Sequence, residues 1–294
     1  AAGEEVHVVA RGRHLEAIVK DGLSVRSELG DVTVRPAGAT DDPAAIGPCD
    51  VAIIAVKLYD IEDAARAAAP LVGPETMVVS LQNGVTAGDV LAGVHGAERV
   101  IGGSSSIAAR IEAPGVIEHL GTMADVSVGE WDGAKSPRAT ALSKAFEKAG
   151  VDVTLADDIT AVIWSKFVFL ASFSGITCAL RLPIGPIRED AETRALLRRA
   201  FDEVFAVARA RDVALPDDLV DQRMDFADGL PAPMYASMYH DLAAGRGLEL
   251  PWLSGTVVSM GRELGVPTPA HESFWLALKL YADGAPAAPG SKED

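Results

Sequence analysis

Residues 50–81, DVAIIAVKLYDIEDAARAAAPLVGPETMVVSL, carry the clearest fold signal in the sequence. The runs 50–56 and 76–81 are short, apolar and rich in β-branched residues, which is typical of strands buried on both faces of a parallel sheet. Between them, residues 58–71 place Ala, Ile and Leu at helical spacing, so the stretch reads as strand, crossover helix and strand. With the similar run VHVVA at 6–10, the pattern predicts a doubly wound α/β domain.

The flanking sequence extends this domain on both sides. LSVRSELGDVTVRP, residues 23–36, predicts a β-hairpin that turns at Gly30-Asp31. Further along the chain, the sequence predicts β-runs at 99–108, 115–120 and 125–129, a helix over 136–149 and a strand over 151–156.

The character of the sequence changes at Asp157-Asp158, where we place the domain boundary. From there the chain reads as successive helices separated by Pro and Gly signals such as LPIGP, and the predicted helices cover 158–181, 191–212, 216–229, 234–244, 250–264 and 270–282. We therefore predict an α/β domain over 1–157, an all-helical domain over 158–284 and a disordered tail over 285–294.

Composition narrows the class of protein. The 42 acidic and 26 basic side chains give a formal charge of −16, which argues against nucleic acid and anionic membranes as partners. No uninterrupted apolar run approaches the about 20 residues that span a bilayer. Cys49 and Cys178 lie far apart and form no metal-ligand pattern, so we predict no metal site and a reducing cytoplasm as the compartment.

Lys166 is the most unusual single residue. It is the only charge in ITAVIWSKFVFLASFSGITCAL, residues 159–180, where a lysine is costly unless its ammonium finds a partner. One interpretation is a lysine stem that reaches solvent at the rim of a buried helix. The other is a functional cation, because positions 166, 170 and 174 share one helical face and place Ser174 on the same wall.

Six motifs favour the functional interpretation of Lys166. They occur in order along the chain and together span residue 6 to about 275. They are VVARGRHLEAI at 8–18, AVK at 55–57, LQNG at 81–84, PGVIEHLG at 114–121, WSK at 164–166, and SMYHD at 237–241 followed by LE at 248–249. Together they resemble the ketopantoate (2-dehydropantoate) reductase family. The resemblance implies an NADP-binding Rossmann-like domain followed by a helical domain, with Lys166 as the catalytic proton donor.

Arg11 lies just past the first β-run, where an NAD enzyme usually has an acidic residue for the ribose 2′-hydroxyl. An arginine suits a 2′-phosphate, so Arg11, with Arg13 nearby, favours NADP unless it is simply a solvated loop residue. The resemblance implies further cofactor contacts from Lys57, from Asn83 and from the backbone of Ala109. Asn83-Gly84 could equally be turn chemistry.

The resemblance also assigns roles in the helical domain. Ser237 matches the substrate-binding serine of the family, and Glu249 matches its late glutamate on the cofactor side. The ordinary alternatives are a surface hydroxyl and an acidic residue in the first turn of a helix. His240 and Asp241 are adjacent, lack a nucleophile and are interpreted as structural.

Three positions depart from the family. Leu170, Ser174 and Ile184 stand where well-studied members have substrate-binding asparagines. Reduction of ketopantoate to pantoate, as in pantothenate and coenzyme A biosynthesis, is the leading prediction. A bulkier, more apolar 2-oxo acid and a non-catalytic nucleotide-binding paralogue are the alternatives.

A second departure concerns the start of the chain. The family begins with a strand and a G-x-G-x-x-G turn that holds the cofactor pyrophosphate. AAGEEVHVVAR resembles the end of the following helix running into the second strand, so we expect this chain to be truncated at its start. The apolar helices of the second domain could supply a homodimer surface.

Overall fold

The computed structural model describes residues 2–286, so most of the predicted tail lies outside the described residues. The chain forms two compact units. The first, here the α/β unit, comprises Ala1–Gln82 and Ala87–Ile159, and the second, the helical unit, comprises Asn83–Thr86 and Thr160–Asp294.

Within the described residues, the α/β unit contains nine strands and four α-helices. Its strands are β1 (His7–Val9), β2 (Leu23–Ser27), β3 (Val32–Val34), β4 (Gly38–Thr40), β5 (Val51–Ile54), β6 (Met77–Ser80), β7 (Val100–Ala113), β8 (Val116–Gly129) and β9 (Asp152–Leu155). Its helices are α1 (Gly12–Asp21), α2 (Ile61–Ala67), α3 (Ala87–His95) and α4 (Pro137–Lys148). The predicted crossover helix over 58–71 is α2, flanked by short 3-10 turns.

In the described part of the chain, seven strands form one mixed sheet in the order β3-β2-β8-β7-β6-β5, with β9 paired to β8. β5, β6 and the start of β7 are parallel, and β7 and β8 are antiparallel. β1 and β4 form a separate parallel pair. The predicted doubly wound α/β class is confirmed for this unit.

Two long strands replace the three β-runs that the sequence predicts between 99 and 129. β7 and β8 each span 14 residues and meet at a tight turn through Pro114-Gly115. Gly115 has a φ of 76°, and a Cβ there would come within 2.9 Å of the Cβ of Ala17, so both its conformation and its packing require glycine. The predicted hairpin around Gly30-Asp31 is confirmed, since β2 and β3 pair antiparallel.

The prediction that all three apolar runs are buried on both faces is right only for β6. Every residue of β6 is buried, whereas Ile53 in β5 is 44% exposed and β1 is largely exposed. Among the described residues, β1 pairs only with β4 and β5 only with β6, so both are edge strands, whereas β6 has a paired strand on each side. An apolar run alone does not reveal how many neighbours a strand has.

The helical unit is built around one long central helix. Its helices are α5 (Ile159–Leu180), α6 (Ile184–Glu189), α7 (Ala191–Ala210), α8 (Leu219–Gly229), α9 (Ser237–Ala243), α10 (Ser254–Leu264) and α11 (Pro269–Leu278). Phe167, Val168 and Ala171 of α5 are almost fully buried in a continuous core with residues from the surrounding helices. The predicted helical second half of the chain is confirmed.

By length and composition, α5 is also the one helix among the described residues that could cross a membrane. More than half of its most apolar window, 56%, is buried inside the protein. A core helix that is apolar on all sides produces the same composition, and the packing of α5 accounts for its hydropathy in this way.

Candidate active site

The middle of α5 places a lysine beside the core. Lys166 follows the buried Trp164 and precedes the buried Phe167, and its own side chain is half-buried. The apolar neighbours fix the helix and its rotation, because turning it would expose large aromatic surfaces. The lysine stem therefore leaves the core at a defined point.

A hydrogen bond holds the end of this stem. The Lys166 Nζ donates to Oδ1 of Asn83 at 3.0 Å. Asn83 opens the segment Asn83–Thr86, which belongs to the helical unit and packs through Val85 against its core. The amide oxygen accepts this hydrogen bond and so orients the ammonium group. The structure thus joins two residues that the sequence singles out 83 positions apart.

Ser174 lies two turns beyond Lys166 on the predicted face. Its side chain is 1% exposed, and its Oγ has no hydrogen-bond partner among the described residues. A buried hydroxyl without a partner costs roughly 1–3 kcal/mol, so it is an unused donor and acceptor. The helical rise separates the Cα atoms of Lys166 and Ser174 by about 12 Å. Ser174 therefore lies well away from Lys166 along the same helical face.

Leu170 and Ile184 are the other two positions that depart from the family. Leu170 is half-buried beside the core, and Ile184 is fully buried as the first residue of α6. The Ile184 N–H donates to the Met234 carbonyl at 2.9 Å. The sequence does not predict α6, because the LPIGP segment is typical of a turn rather than of the start of a helix.

Ser237 and Glu249 occupy different environments within the helical unit. Ser237 is exposed at the first position of α9. Glu249 is only 5% exposed, and its carbonyl accepts the N–H of Trp252 at 3.0 Å in the short 3-10 turn Leu250–Trp252. The predicted first-turn position of Glu249 therefore belongs to a 3-10 turn rather than to α10. The roles of both residues remain predictions.

The start of α1 is a cationic helix terminus. Arg11 directly precedes α1 and Arg13 lies in its first turn, both exposed and without an ion pair among the described residues. The first turn contains no acidic side chain, and no side chain caps it. Unpaired helix N–H groups and two guanidinium groups together suit a phosphate, so this part of the chain fits the phosphorylated ribose of NADP.

Lys57 and Gln82 lie where β5 and β6 end. Lys57 is half-buried and immediately precedes a 3-10 turn. Gln82 donates from Nε2 to the Val56 carbonyl at 2.6 Å and accepts from Ser80 Oγ at 2.9 Å, so it connects the two strand ends. The sequence predicts no role for Gln82, although it belongs to the LQNG motif. Its position directly after a buried strand is the signal that could have indicated one.

Ala109 is an exposed residue of β7, paired with His119 of β8. The ladder shifts register between Ile107 and Ala109, so the pairing beside Ala109 is irregular. Irregular pairing leaves backbone groups outside the ladder, which is compatible with the predicted backbone contact. That contact remains a prediction.

Other ionisable groups buried in the helical unit are structural. His271 is fully buried, and burial lowers its pKa to about 4, while it contacts Ser172, Ser254 and the Ala200 carbonyl. Burial also raises the pKa of the Cys178 thiol to about 12. Asp241 pairs with Arg246 at 2.8 Å, as expected for a structural residue. Among residues 2–286, no cluster of three or more His, Cys, Asp or Glu could hold a metal.

Family models cover most of the chain. The ketopantoate reductase PanE/ApbA model matches residues 1–133, and the model of the C-terminal domain of the same family matches residues 158–282. The chain belongs to the ketopantoate reductase family. The resemblance that the six motifs indicated is confirmed.

Individual relatives agree with this assignment. The 2-dehydropantoate 2-reductase of Mesorhizobium japonicum is 33% identical over 302 residues, which cover 96% of this chain and 91% of the relative. The crystal structure of 2-dehydropantoate 2-reductase from Geobacter metallireducens has a TM-score of 0.88 at 32% identity, covering 95% of this chain and 92% of that one. A D-mandelate dehydrogenase structure with NADH and anilino(oxo)acetate shares the fold, with a TM-score of 0.86 at 20% identity, covering 96% and 92% of the two chains.

As a ketopantoate reductase family member, the chain is an oxidoreductase that acts on a CH–OH group with a nicotinamide cofactor. NADPH is the cofactor of the family, as the sequence predicts. The cationic start of α1 is consistent with this choice.

Proposed function

We propose that the chain reduces a small 2-keto acid to the corresponding 2-hydroxy acid with NADPH, and that Lys166 donates the proton. The hydrogen bond between Lys166 and Asn83 carries this proposal, because it presents an ammonium group at the edge of an apolar helix. A general acid must be oriented and within reach of the oxygen that it protonates. Family members named 2-dehydropantoate 2-reductase support ketopantoate as the first substrate to test.

Under this proposal, different residues bind the cofactor, transfer the proton and position the substrate. Arg11 and Arg13 would hold the 2′-phosphate, while Lys57, Asn83, Glu249 and the backbone of Ala109 would make the other cofactor contacts. When bound, NADPH supplies the hydride for the C2 carbonyl carbon. Lys166 gives a proton to the carbonyl oxygen as negative charge develops there, which yields the hydroxyl group and a neutral amine that solvent reprotonates. Ser237 and Ser174 would position the substrate.

A bulkier, more apolar 2-oxo acid is the second candidate. Leu170 is half-buried on the face of Lys166, and an apolar wall there favours an apolar substituent on C3. The distance along α5 to the unpartnered Ser174 hydroxyl also suits an extended substrate. Pantothenate biosynthesis remains the leading physiological role, and the free Cys49 and Cys178 thiols support a reducing compartment such as the cytoplasm.

A panel of 2-oxo acids separates these candidates. We would measure NADPH oxidation with ketopantoate, 2-ketoisovalerate, phenylpyruvate and benzoylformate, and compare each kcat/KM value. The highest value for ketopantoate supports the pantothenate role, and a preference for the aromatic acids supports the second candidate. Absence of NADPH oxidation with every 2-oxo acid would contradict the proposed function.

A further inference from the structure

Arg223 is a half-buried cation without a counterion. It lies in α8, and its guanidinium donates from Nη2 to Ser165 Oγ at 2.6 Å. Its Nε is buried and has no hydrogen-bond partner, and no carboxylate lies within ion-pair distance among residues 2–286. Ser165 is therefore its one side-chain partner in the described part of the chain.

Two arginines of the neighbouring helix α7 have carboxylate counterions, unlike Arg223. Arg194 and Arg198 of α7 also reach toward α8, where they pair with Asp228 and Asp221. Both of these arginines are more exposed than Arg223, although an exposed charge needs a counterion less than a buried one does. Helix α8 supplies carboxylates to two more exposed arginines and none to its own half-buried arginine.

Packing fixes the place of the guanidinium. Phe226, three residues after Arg223 and so on the same side of α8, makes an edge-to-face contact with Phe169 of α5 at 4.9 Å. Phe169 lies one turn after Ser165. Arg223 therefore lies along the contact between α5 and α8 at the turn that contains Lys166, and its Nη2 is less than about 9 Å from the Lys166 Cα, given the 3.8 Å spacing of consecutive Cα atoms.

A structural role does not account for this arrangement. Burial lowers the pKa of Arg223, which means that the folded protein disfavours its charge. One hydrogen bond to a serine offsets only a small part of the free energy needed to remove a guanidinium from water. A methionine could fill the same space between the helices with a smaller desolvation penalty. Such an unpaired cation becomes favourable when an anion from solution joins it.

We propose that Arg223 binds the carboxylate of the 2-keto acid, with Ser165 holding the guanidinium in position. A guanidinium matches a carboxylate through two parallel hydrogen bonds, and this contact would fix the substrate while Lys166 addresses the adjacent carbonyl oxygen. Leu170 and Ile184 stand where the family has substrate-binding asparagines and offer no hydrogen-bonding side chain, so the arginine would supply a polar anchor that these two positions lack. This inference rests on the proposed function.

Arg223→Met tests the inference, with Arg198→Met as the matched control because Arg198 also contacts α8. We expect Arg223→Met to raise KM for the 2-keto acid about 100-fold through loss of a bidentate charged contact, with kcat within a few-fold and NADPH affinity unchanged. Arg198→Met should leave all three unchanged. An unchanged KM in Arg223→Met would overturn the inference.

Thermal unfolding separates binding from structure. Oxamate, an unreactive analogue of a 2-keto acid, should raise the Tm of the wild-type protein and of Arg198→Met but not of Arg223→Met. Without oxamate, Arg223→Met should unfold at the same temperature as the wild-type protein or higher, because it removes an unpaired charge. A lower Tm together with retained stabilisation by oxamate would show a structural arginine and overturn the inference.

Two further outcomes keep the inference and the proposed function distinct. If the wild-type protein reduces no 2-oxo acid and oxamate still stabilises it through Arg223, the proposed function fails and the anion site stands. If Arg223→Met does not fold, Arg223→Lys keeps the charge and loses the two-pronged contact, and KM should then rise about tenfold. An unchanged KM in Arg223→Lys would overturn the inference.

Discussion

The start of α1 and the middle of α5 both present cations, in contrasting surroundings. Arg11 and Arg13 are exposed at a helix terminus, whereas Lys166 is half-buried beside aromatic core residues and held by Asn83. Water screens the exposed pair, so each arginine can contribute to ligand affinity and little else. The half-buried ammonium sits where a charge acts strongly on a neighbouring reacting atom. We therefore expect Arg11 and Arg13 to act in cofactor binding and Lys166 to act on the reacting atoms.

The first prediction concerns Lys166 and has the largest expected effect, a loss of kcat. Lys166→Ala should lower kcat about 1,000-fold, because the developing alkoxide loses its proton donor. Its dissociation constant for NADPH should stay near the wild-type value. Steady-state kinetics and fluorescence titration with NADPH measure the two quantities. Lys148→Ala is the control, since Lys148 is an exposed lysine paired with Glu4, and wild-type turnover in Lys166→Ala would remove the lysine from the mechanism.

The second prediction concerns a fully buried group that is neutral. The pKa of His271 in the folded protein is about 4, below the value of 6.5 for an exposed histidine. Protonation therefore favours the unfolded chain as the pH falls from 6.5 to 4, and the folded protein should lose about 3 kcal/mol over this range. Urea unfolding at several pH values measures the loss.

A histidine variant isolates that contribution. His271→Gln should show a shallower dependence of stability on pH between 6.5 and 4, and exposed His240→Gln should keep the wild-type dependence. Equal slopes for the wild-type protein and His271→Gln would show that this imidazole is not the group being protonated.

The third prediction addresses the exposed cations. Arg11→Met should weaken NADPH binding about 10- to 100-fold through loss of a charged hydrogen bond to the 2′-phosphate, while NADH binding changes little. Titration with both cofactors checks this difference. Arg66→Met, which removes an exposed arginine paired with Glu62, should alter neither affinity. Equal losses for NADPH and NADH would place the role of Arg11 away from the 2′-phosphate.

The fourth and smallest effect concerns the partner of the lysine. Asn83→Ala should lower kcat about fivefold, since one hydrogen bond that orients the ammonium is worth about 1 kcal/mol. Asn83→Asp should instead shift the alkaline limb of the kcat–pH profile upward, because a carboxylate favours the ammonium form. A profile that does not move in Asn83→Asp would indicate that this contact does not influence the group that titrates.

Much of the fold could be predicted because its signals are local. The strand-helix-strand pattern of residues 50–81, the hairpin through Gly30-Asp31 and the helical second half follow from periodicity and turn residues. The sequence does not predict α6, because LPIGP resembles a turn. It predicts shorter β-runs in place of β7 and β8, because serine, threonine and glycine interrupt the apolar pattern of these strands.

The candidate site was predictable only in part. Lys166 stood out as a single charge in an apolar helix, and motif order pointed to Asn83, although their hydrogen bond spans 83 positions. No sequence pattern predicts the contact between Arg223 and Ser165, because it arises from the packing of α8 against α5. An arginine in a helix with several aspartates resembles an ordinary solvated residue until its surroundings are known.

Chemical rescue of Lys166→Ala tests the central claim, proton donation by Lys166, most directly. The rate of NADPH oxidation by this variant would be measured at increasing concentrations of methylammonium, with tetramethylammonium as a cation that has no proton to donate. The account predicts a rate that rises with methylammonium and stays flat with tetramethylammonium. Equal rescue by both cations would show that Lys166 contributes charge alone, and would contradict its role as the proton donor.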